Sequence, residues 1–283
     1  MKRLRKLAAI AAILAIVLLL AMQGLRQADL SADAAAWRAL ASPAGPVTRF
    51  DPRSVASLPE PARRYFAFSI APGTRIRTAV ELRMRGVIGL GTRAQPSYMP
   101  MDARQILAGT RGFVWQIHAG SGLTRFSGSD GYADGKGWTR FWLLGALPIV
   151  RAGGDSDFAR SAAARAVAES AFWLPSALLP SSTVRWEPLG PDRARVRVTD
   201  GPWEHQLDLT VGPDGRPLAV SILRWSRENP ERRWQLQPFG GTSSDFRQVQ
   251  GYRIATRIEG GNWFGTPDYF PFYRASVSHA EFH

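Results

Sequence analysis

The side chains of this 283-residue chain that could carry acid–base chemistry are mostly carboxylates. Asp130 and Asp134 fall in glycine-containing turns, where aspartate is favoured by the turn geometry itself. Glu169 lies in an alanine-rich stretch of helical character, four residues after Arg165, so the two can pair on one helix face. These carboxylates are the candidates for a hydrolase, against the simpler interpretation of ordinary turns and a structural ion pair.

The environment of Glu169 decides between those interpretations. If its helix lies inside a sheet, the buried carboxylate needs a cationic partner. Arg165 is one candidate, and Arg63 or Arg64 from an earlier segment is another. The same arginines are candidates for the polar rim of a binding site.

A second candidate for chemistry is the block Gly154-Asp-Ser-Asp157, which resembles the nucleophile block of GDS-type esterases. That chemistry also requires a histidine base, usually in an Asp-x-x-His arrangement. None of the four histidines has an aspartate three residues before it. The block is better explained as the cap of a helix that starts near Asp155 or Ser156.

Metal and cofactor sites are not indicated. On a strand, His279, Glu281 and His283 would share one face and form a chelating edge, but they stand at the end of the sequence and a solvated strand end is the favoured explanation. The chain contains no GxGxxG, Walker, GxSxG or HExxH motif and no cysteine. We therefore expect no metal and no cofactor.

The most unusual stretch is apolar rather than catalytic. In Ala168-Glu-Ser-Ala-Phe-Trp-Leu-Pro-Ser-Ala-Leu-Leu-Pro180, a helical pattern runs into large apolar residues and two prolines. Such a segment either fills a core or lines a hydrophobic cavity. The second hypothesis assigns these residues to ligand binding: Trp115, Trp142, Phe172, Trp173, Leu174, Leu178 and Leu179.

The elements that must position these residues are mainly strands. From Ile76 to Arg85, apolar and charged residues alternate, which predicts a half-exposed antiparallel strand. Similar segments continue to the C-terminus, separated by turn signals typical of hairpins. A helix over 155–172 is the exception. The fold class expected is mainly β (β+α): one large curved antiparallel sheet, or half-barrel, covered by that helix and its apolar tail.

The N-terminus predicts a membrane segment. A basic start precedes the apolar run Leu7–Met22, which spans about 24 Å and can be extended by the next residues towards the roughly 30 Å of a bilayer core. A signal peptide is the alternative, but Met22–Arg26 is a poor cleavage site. We divide the chain into an anchor (1–26), a juxtamembrane helix and linker (27–57) and a β-rich domain (58–283).

Charge and topology suggest where the domain lies. Because the basic residues precede the apolar run, the N-terminus is expected in the cytoplasm and the domain outside it, as a single-pass protein of the inner membrane with a periplasmic domain. The formal net charge is +13, with arginines spread along the chain rather than clustered. This pattern does not indicate nucleic acid as a partner, but it is compatible with anionic lipid headgroups.

Three motifs carry a family resemblance: Leu58-Pro-x-Pro-x-Arg-Arg-Tyr-Phe66, Glu169-x-x-x-Trp-x-Pro-x-Ala-Leu-Leu179, and Gly251-Tyr-Arg-Ile254 followed by Trp263. Together they resemble a family of uncharacterised bacterial proteins known as a domain of unknown function, often with an N-terminal membrane segment. Where this chain has Ala255, that family typically has a proline. The resemblance implies no activity. In architecture, the expected fold is similar to the periplasmic lipoprotein-carrier half-barrels.

The functional hypothesis that follows is a membrane-anchored extracytoplasmic protein that binds a lipid or another hydrophobic ligand in a half-barrel. The alternative is an envelope hydrolase acting on a lipid or glycan through Glu169 or the Asp130/Asp134 turns. A scaffold that only holds a membrane partner is a third possibility, for which the interior would be filled by the protein's own side chains. No catalytic motif supports an enzyme, so a binding protein is favoured.

Overall fold

The computed structural model describes residues 1–283 and confirms the expected fold class. It contains one 13-stranded antiparallel sheet and three α-helices. The helices are α1 (Lys2–Ala41), α2 (Glu60–Ser69) and α3 (Ser156–Trp173). Short 3₁₀ turns lie at Pro52–Val55, Gly109–Arg111, Gly122–Thr124 and Pro175–Leu178.

The strands follow one another mostly as hairpins. They are β1 (Val80–Gly91), β2 (Pro96–Leu107), β3 (Gly112–Ala119), β4 (Phe126–Ala133), β5 (Lys136–Leu143), β6 (Leu147–Gly153), β7 (Val184–Gly190), β8 (Arg193–Asp200), β9 (Trp203–Val211), β10 (Pro217–Ser226), β11 (Gln235–Val249), β12 (Tyr252–Asn262) and β13 (Phe270–Phe282). Their order in the sheet is β6-β5-β4-β3-β2-β1-β13-β12-β11-β10-β9-β8-β7. Two meanders are thus joined by pairing of β1 with the last strand.

The sheet is open and curves around α3. This helix contacts β5 near one end of the sheet and β10 near the other, so the face it covers is concave. The alternation predicted for β1 is present: Leu82 and Met84 are buried, while Arg83 and Arg85 lie on the opposite, convex face. Helix α2 packs against strands β7, β8, β9 and β12.

Local sequence explains where α3 begins and ends. Asp155 caps it by accepting a hydrogen bond from the backbone N–H of Phe158 at 2.8 Å. Pro175 follows directly after its last turn, and the chain continues in a 3₁₀ turn instead. The helix also lies very close to β5: a Cβ at Gly137 would be 2.6 Å from the backbone oxygen of Phe158, so this position requires glycine.

The N-terminal segment is one uninterrupted helix. Helix α1 runs through the expected boundary between residues 26 and 27, so the two segments that the sequence separates form one continuous helix. Its first half is exposed and apolar, and it is long enough to cross a membrane. Its second half packs on the convex face, where Asp29, Asp33 and Leu40 are buried.

Candidate ligand-binding site

A cavity of about 180 Å³ lies between the C-terminal half of α3 and the concave face of the sheet. Its walls are mainly aromatic and aliphatic, and strands β11 and β12 contribute glycines. Its lining includes the polar or aromatic side chains of Trp115, Arg165, Glu169, Phe172, Arg224 and Tyr273. A second cavity of about 280 Å³ adjoins the N-terminal half of α3, and Asp130, Arg165 and Arg224 line both.

The charged cluster between these cavities is centred on Arg165. Its Nε lies 2.6 Å from Oε1 of Glu169, and its Nη1 lies 3.3 Å from Oδ2 of Asp130. The remaining carboxylate oxygens accept hydrogen bonds from Gln105 Nε2 and from Thr139 Oγ1. Burial lowers the pKa of Arg165, but the charges of Glu169 and Asp130 raise it by more. The pKa of Arg165 therefore lies above its ordinary value. This is a fully paired structural cluster, as expected for charge under a helix.

Arg224 is different because it forms no salt bridge. It donates only from Nε, to the backbone oxygen and Oγ of Ser161, both at 3.1 Å. Its guanidinium lies over the ring of Phe239, 4.8 Å from the centroid. Burial, together with repulsion from Arg165, lowers the pKa of Arg224 to about 10. The cavity wall therefore carries a largely enclosed cation without a direct salt bridge, on which Asp130, Glu169 and Glu228 act only from a distance.

Two further polar groups beside the cluster lack partners. The indole Nε1 of Trp115 and the amide Oε1 of Gln105 are buried and form no hydrogen bond. The hydroxyl of Tyr273 donates only to Sδ of Met84, at 2.8 Å. Burial and the nearby charge of Glu169 raise the pKa of Tyr273, so it is a neutral donor at physiological pH. Unsatisfied groups of this kind mark a place where a polar ligand atom would be stabilised.

The structure brings three of the expected apolar residues to the cavity: Trp115, Phe172 and Trp173. Trp173 also donates from Nε1 to the backbone oxygen of Ala255 at 3.1 Å. Leu174, Leu178 and Leu179 do not reach the cavity. The first two are fully buried in the core, and the third is partly buried against it. The leucines of the apolar segment after α3 therefore pack into the core of the half-barrel. Only Phe172 and Trp173, at the start of that segment, line the cavity.

Trp142 does not lie at the cavity. It is on the convex face, where its Nε1 donates to Oδ2 of Asp29 in α1 at 3.2 Å. Its neighbour Phe141 occupies the concave side and lines the cavity. Successive residues of a strand point to opposite faces, so only one of the two can line the cavity, and the aromatic pair does not reveal which.

The expected rim arginines of α2 also lie elsewhere. Arg63 is exposed and donates to backbone oxygens of the preceding loop. Arg64 pairs with Glu60 at 2.9 Å and with Asp192 at 2.9 Å, which fixes α2 to the β7–β8 turn. Neither residue reaches Glu169. Asp134 is exposed in the β4–β5 turn with a φ of 49°, a turn position away from both cavities.

The convex face holds a larger but charged groove of about 710 Å³ beneath α1. His279 and Glu281 belong to it, and their nearest N–O distance is 4.0 Å. His283 lies 3.5 Å from Glu81 instead. No group of three His, Asp or Glu side chains is arranged to hold a metal ion. The groove is bounded by ion pairs of α1 with the sheet, including Arg140 with Asp33.

A model described as a family of unknown function, DUF6544, matches residues 48–275. The chain belongs to this family. No curated protein matches the chain.

Among solved structures, a LolA superfamily protein from Nitrosomonas europaea is 11% identical, with a TM-score of 0.36 over 79% of this chain and 92% of that one. A putative outer membrane lipoprotein-sorting protein domain from Vibrio parahaemolyticus is 12% identical, with a TM-score of 0.32 over 72% and 85%. A DUF1329 family protein from Desulfovibrio piger is 11% identical, with a TM-score of 0.38 over 73% and 86%. Similarities at this level do not tell us what the chain binds.

Several residues of the site escape sequence reasoning. Arg224, Gln105 and Tyr273 sit on strands without any motif. The glycines of β11 and β12 are the one feature of the sequence that could indicate the cavity. Gly241 of β11 pairs directly with Gly260 of β12. Facing glycines on adjacent strands leave a sheet without side chains at that point, which is what a close ligand or helix requires.

Proposed function

We propose that this DUF6544 protein is a membrane-anchored, extracytoplasmic binding protein that holds the apolar chain of a lipid-like molecule in its concave cavity. The observation that carries the proposal is an apolar, glycine-floored cavity with a largely enclosed cation that forms no salt bridge, Arg224, in its wall. Apolar walls with a few placed polar groups are the usual composition of a small-molecule site.

The ligand class follows from these walls. The apolar side chains favour hydrocarbon, and Arg224 favours an acidic group such as a carboxylate or phosphate. Trp115 Nε1 offers a second donor. At about 180 Å³ the cavity is smaller than the roughly 300–1,000 Å³ of sites that enclose a whole drug-sized ligand. We therefore infer that part of one chain is enclosed while the rest of the ligand extends out of the cavity.

The membrane anchor is supported by the continuity of α1. The exposed apolar half and the half that packs on the sheet are one helix. Cleavage at the small residues Ala32-Asp-Ala34 would remove Asp29, which pairs with Arg140 and Arg151. The helix is thus an integral part of the fold. With basic residues before the apolar run, the domain lies on the outer side of the inner membrane, in the periplasm.

An enzyme is not favoured by the same geometry. All four oxygens of Asp130 and Glu169 accept from protein donors, so neither carboxylate presents a free oxygen to the cavity. The Gly154–Asp157 block acts as a helix cap, and Asp157 accepts from Trp225 Nε1 at 2.7 Å. Neither feature provides a nucleophile with its base.

The test is native mass spectrometry of the full chain extracted from membranes, comparing the wild type with Gly260→Ile. A Cβ at Gly260 would meet only the backbone oxygen of Gly240, at 3.4 Å, so a strand-compatible side chain can enter the cavity without displacing backbone. The matched control is Gly190→Ile, at an exposed strand position with no atom within 4 Å of the new Cβ.

We expect the wild type and Gly190→Ile to retain one lipid-sized adduct that Gly260→Ile lacks, with equal thermal stability of all three. Lipids attached to the anchor are common to all three proteins, so the difference isolates the cavity. Identical adducts in the folded Gly260→Ile protein would overturn the proposal.

A further inference from the structure

Four turns of the sheet lie together at one end of the strands, which we call the anchor-side rim. It consists of residues 90–96, 120–125, 144–149 and 263–269, the turns that join β1 to β2, β3 to β4, β5 to β6 and β12 to β13 together with the adjoining strand ends. Direct contacts connect two pairs of these turns: Leu144 N–H donates to Arg125 O, and Arg93 pairs with Asp268. The turn between β3 and β4 is also held to β2, where Gly120 N–H donates to Pro100 O.

The anchor-side rim exposes large apolar side chains. Leu123, at the tip between β3 and β4, is 82% exposed, and Leu90, Leu144, Leu147 and Ile149 are also exposed. None of these residues contributes to the buried core. Apolar side chains clustered on turn tips are unusual for a surface that meets only water.

The membrane-spanning half of α1 leaves the domain at this same rim. Gln23, which directly follows the apolar run, donates from Nε2 to the backbone oxygen of Gly145 at 3.1 Å. From there α1 crosses the convex face to Leu40, which packs with Ala108 at the opposite end of the strands. Residues before Gln23 therefore project beyond the rim. A bilayer spanned by these residues has its surface at the level of Gly145.

Charge at the rim is complementary to a lipid surface. Arg93 and Arg125 are exposed there, and Asp268 is the only acidic residue in the four turns. Exposed arginines beside apolar tips match the anionic headgroups and the acyl boundary of a membrane. The cavity is bounded towards the same end: Ile88 and Phe272 lie within a few residues of the turns of the rim.

We propose that the anchor-side rim inserts Leu123, Leu144 and Leu147 into the leaflet that faces the domain, next to the anchor. The end of the cavity bounded by Ile88 and Phe272 then faces the bilayer, and the ligand passes between membrane and cavity without crossing water. This inference rests on the proposed function for its ligand, while the contact with the membrane is measurable without any ligand.

The absence of cysteine makes the test simple. Leu123→Cys, Leu147→Cys and the control Asp134→Cys, each in the full chain, are labelled with an environment-sensitive fluorophore. Asp134 is exposed in a turn at the opposite end of the strands. The proteins are reconstituted into phosphatidylethanolamine–phosphatidylglycerol vesicles with and without acyl-chain spin-labelled lipid, a short-range quencher.

We expect at least threefold stronger quenching of the labels at 123 and 147 than at 134, with blue-shifted emission at the two rim positions. Quenching at 123 and 147 no stronger than at 134 would overturn the inference. The same measurement in a Gly260→Ile background separates the two proposals. Rim quenching should persist there while the lipid-sized adduct is lost. Persistent quenching with an unchanged adduct would overturn the cavity hypothesis alone, and loss of quenching with loss of the adduct would overturn the membrane contact alone.

Discussion

Arg165 and Glu169 lie one turn apart on α3, with Nε 2.6 Å from Oε1, and both side chains are largely enclosed between the helix and the sheet. The pair is held from the sheet side by Asp130 and Gln105. Removing one member leaves a buried charge with an incomplete set of partners, which is the costly case for a buried ion pair.

Glu169→Gln is therefore expected to lower the free energy of unfolding by about 2–4 kcal/mol. Urea denaturation of the detergent-solubilised chain measures the change. Because Arg165 also pairs with Asp130, the triple variant Asp130→Asn/Arg165→Met/Glu169→Met is needed to remove every charge of the cluster, and it should recover most of the loss. If Glu169→Gln kept full stability and instead abolished a hydrolytic activity, the structural role would be contradicted.

Arg224→Met should have two opposite effects. It removes a largely enclosed cation that forms no salt bridge, so the ligand-free protein is expected to gain on the order of 1–2 kcal/mol in stability. It should also weaken binding of a fluorescent fatty acid at least tenfold, while the corresponding alcohol binds with little change. Equal weakening of acid and alcohol, or none, would show that Arg224 does not contact the acidic group.

Because His205 is buried, we expect the free energy of unfolding to depend on pH. Burial, with a contribution from Arg160, lowers its pKa from 6.5 to about 4. Between these values the unfolded chain binds a proton that the folded protein does not, so stability falls as the pH drops from about 6.5 to about 4. The loss attributable to this residue is about 3 kcal/mol. Thermal unfolding of His205→Leu across this range should show a flatter profile than the wild type, and parallel profiles would contradict the assignment.

The contacts of Asp29 should account for much of the attachment of α1 to the domain. It is buried and accepts from Trp142 and Arg151 while facing Arg140. Asp29→Ala should destabilise the protein by about 2–4 kcal/mol and speed proteolysis in the loop after α1. The control Asp102→Ala removes an exposed partner of Arg85 on the same face and should cost at most about 1 kcal/mol. Equal effects of the two substitutions would show that α1 is only loosely held.

The sequence predicted the parts of this structure that depend on local chemistry. A capping aspartate, an alanine-rich interior and a closing proline are sufficient for α3, and period-two alternation is sufficient for strands such as β1, β8 and β9. The Arg165–Glu169 pair followed from the helical spacing. The apolar segment after α3 was correctly placed inside the half-barrel, although its leucines fill the core rather than line the cavity.

What could not be predicted depends on tertiary arrangement. A register shift between Phe141 and Trp142 in the β5–β6 pairing shows how irregular this edge is, and the face of Trp142 is fixed by Asp29 more than a hundred residues earlier. In β10, Leu223 is exposed while Arg224 is enclosed, because α3 covers the arginine. Alternation from the buried Val220 and Ile222 puts Arg224 on the inner face, but residue type alone would predict the reverse burial for that pair.

The most direct test of the account uses a photoactivatable fatty acid crosslinked to the full chain in membranes, followed by peptide mapping. The account predicts adducts on residues that line the concave cavity, such as Phe172 and Tyr273, and their loss in Gly260→Ile but not in Gly190→Ile. Adducts confined to the apolar half of α1 or to the convex groove, with none at the cavity, would contradict it.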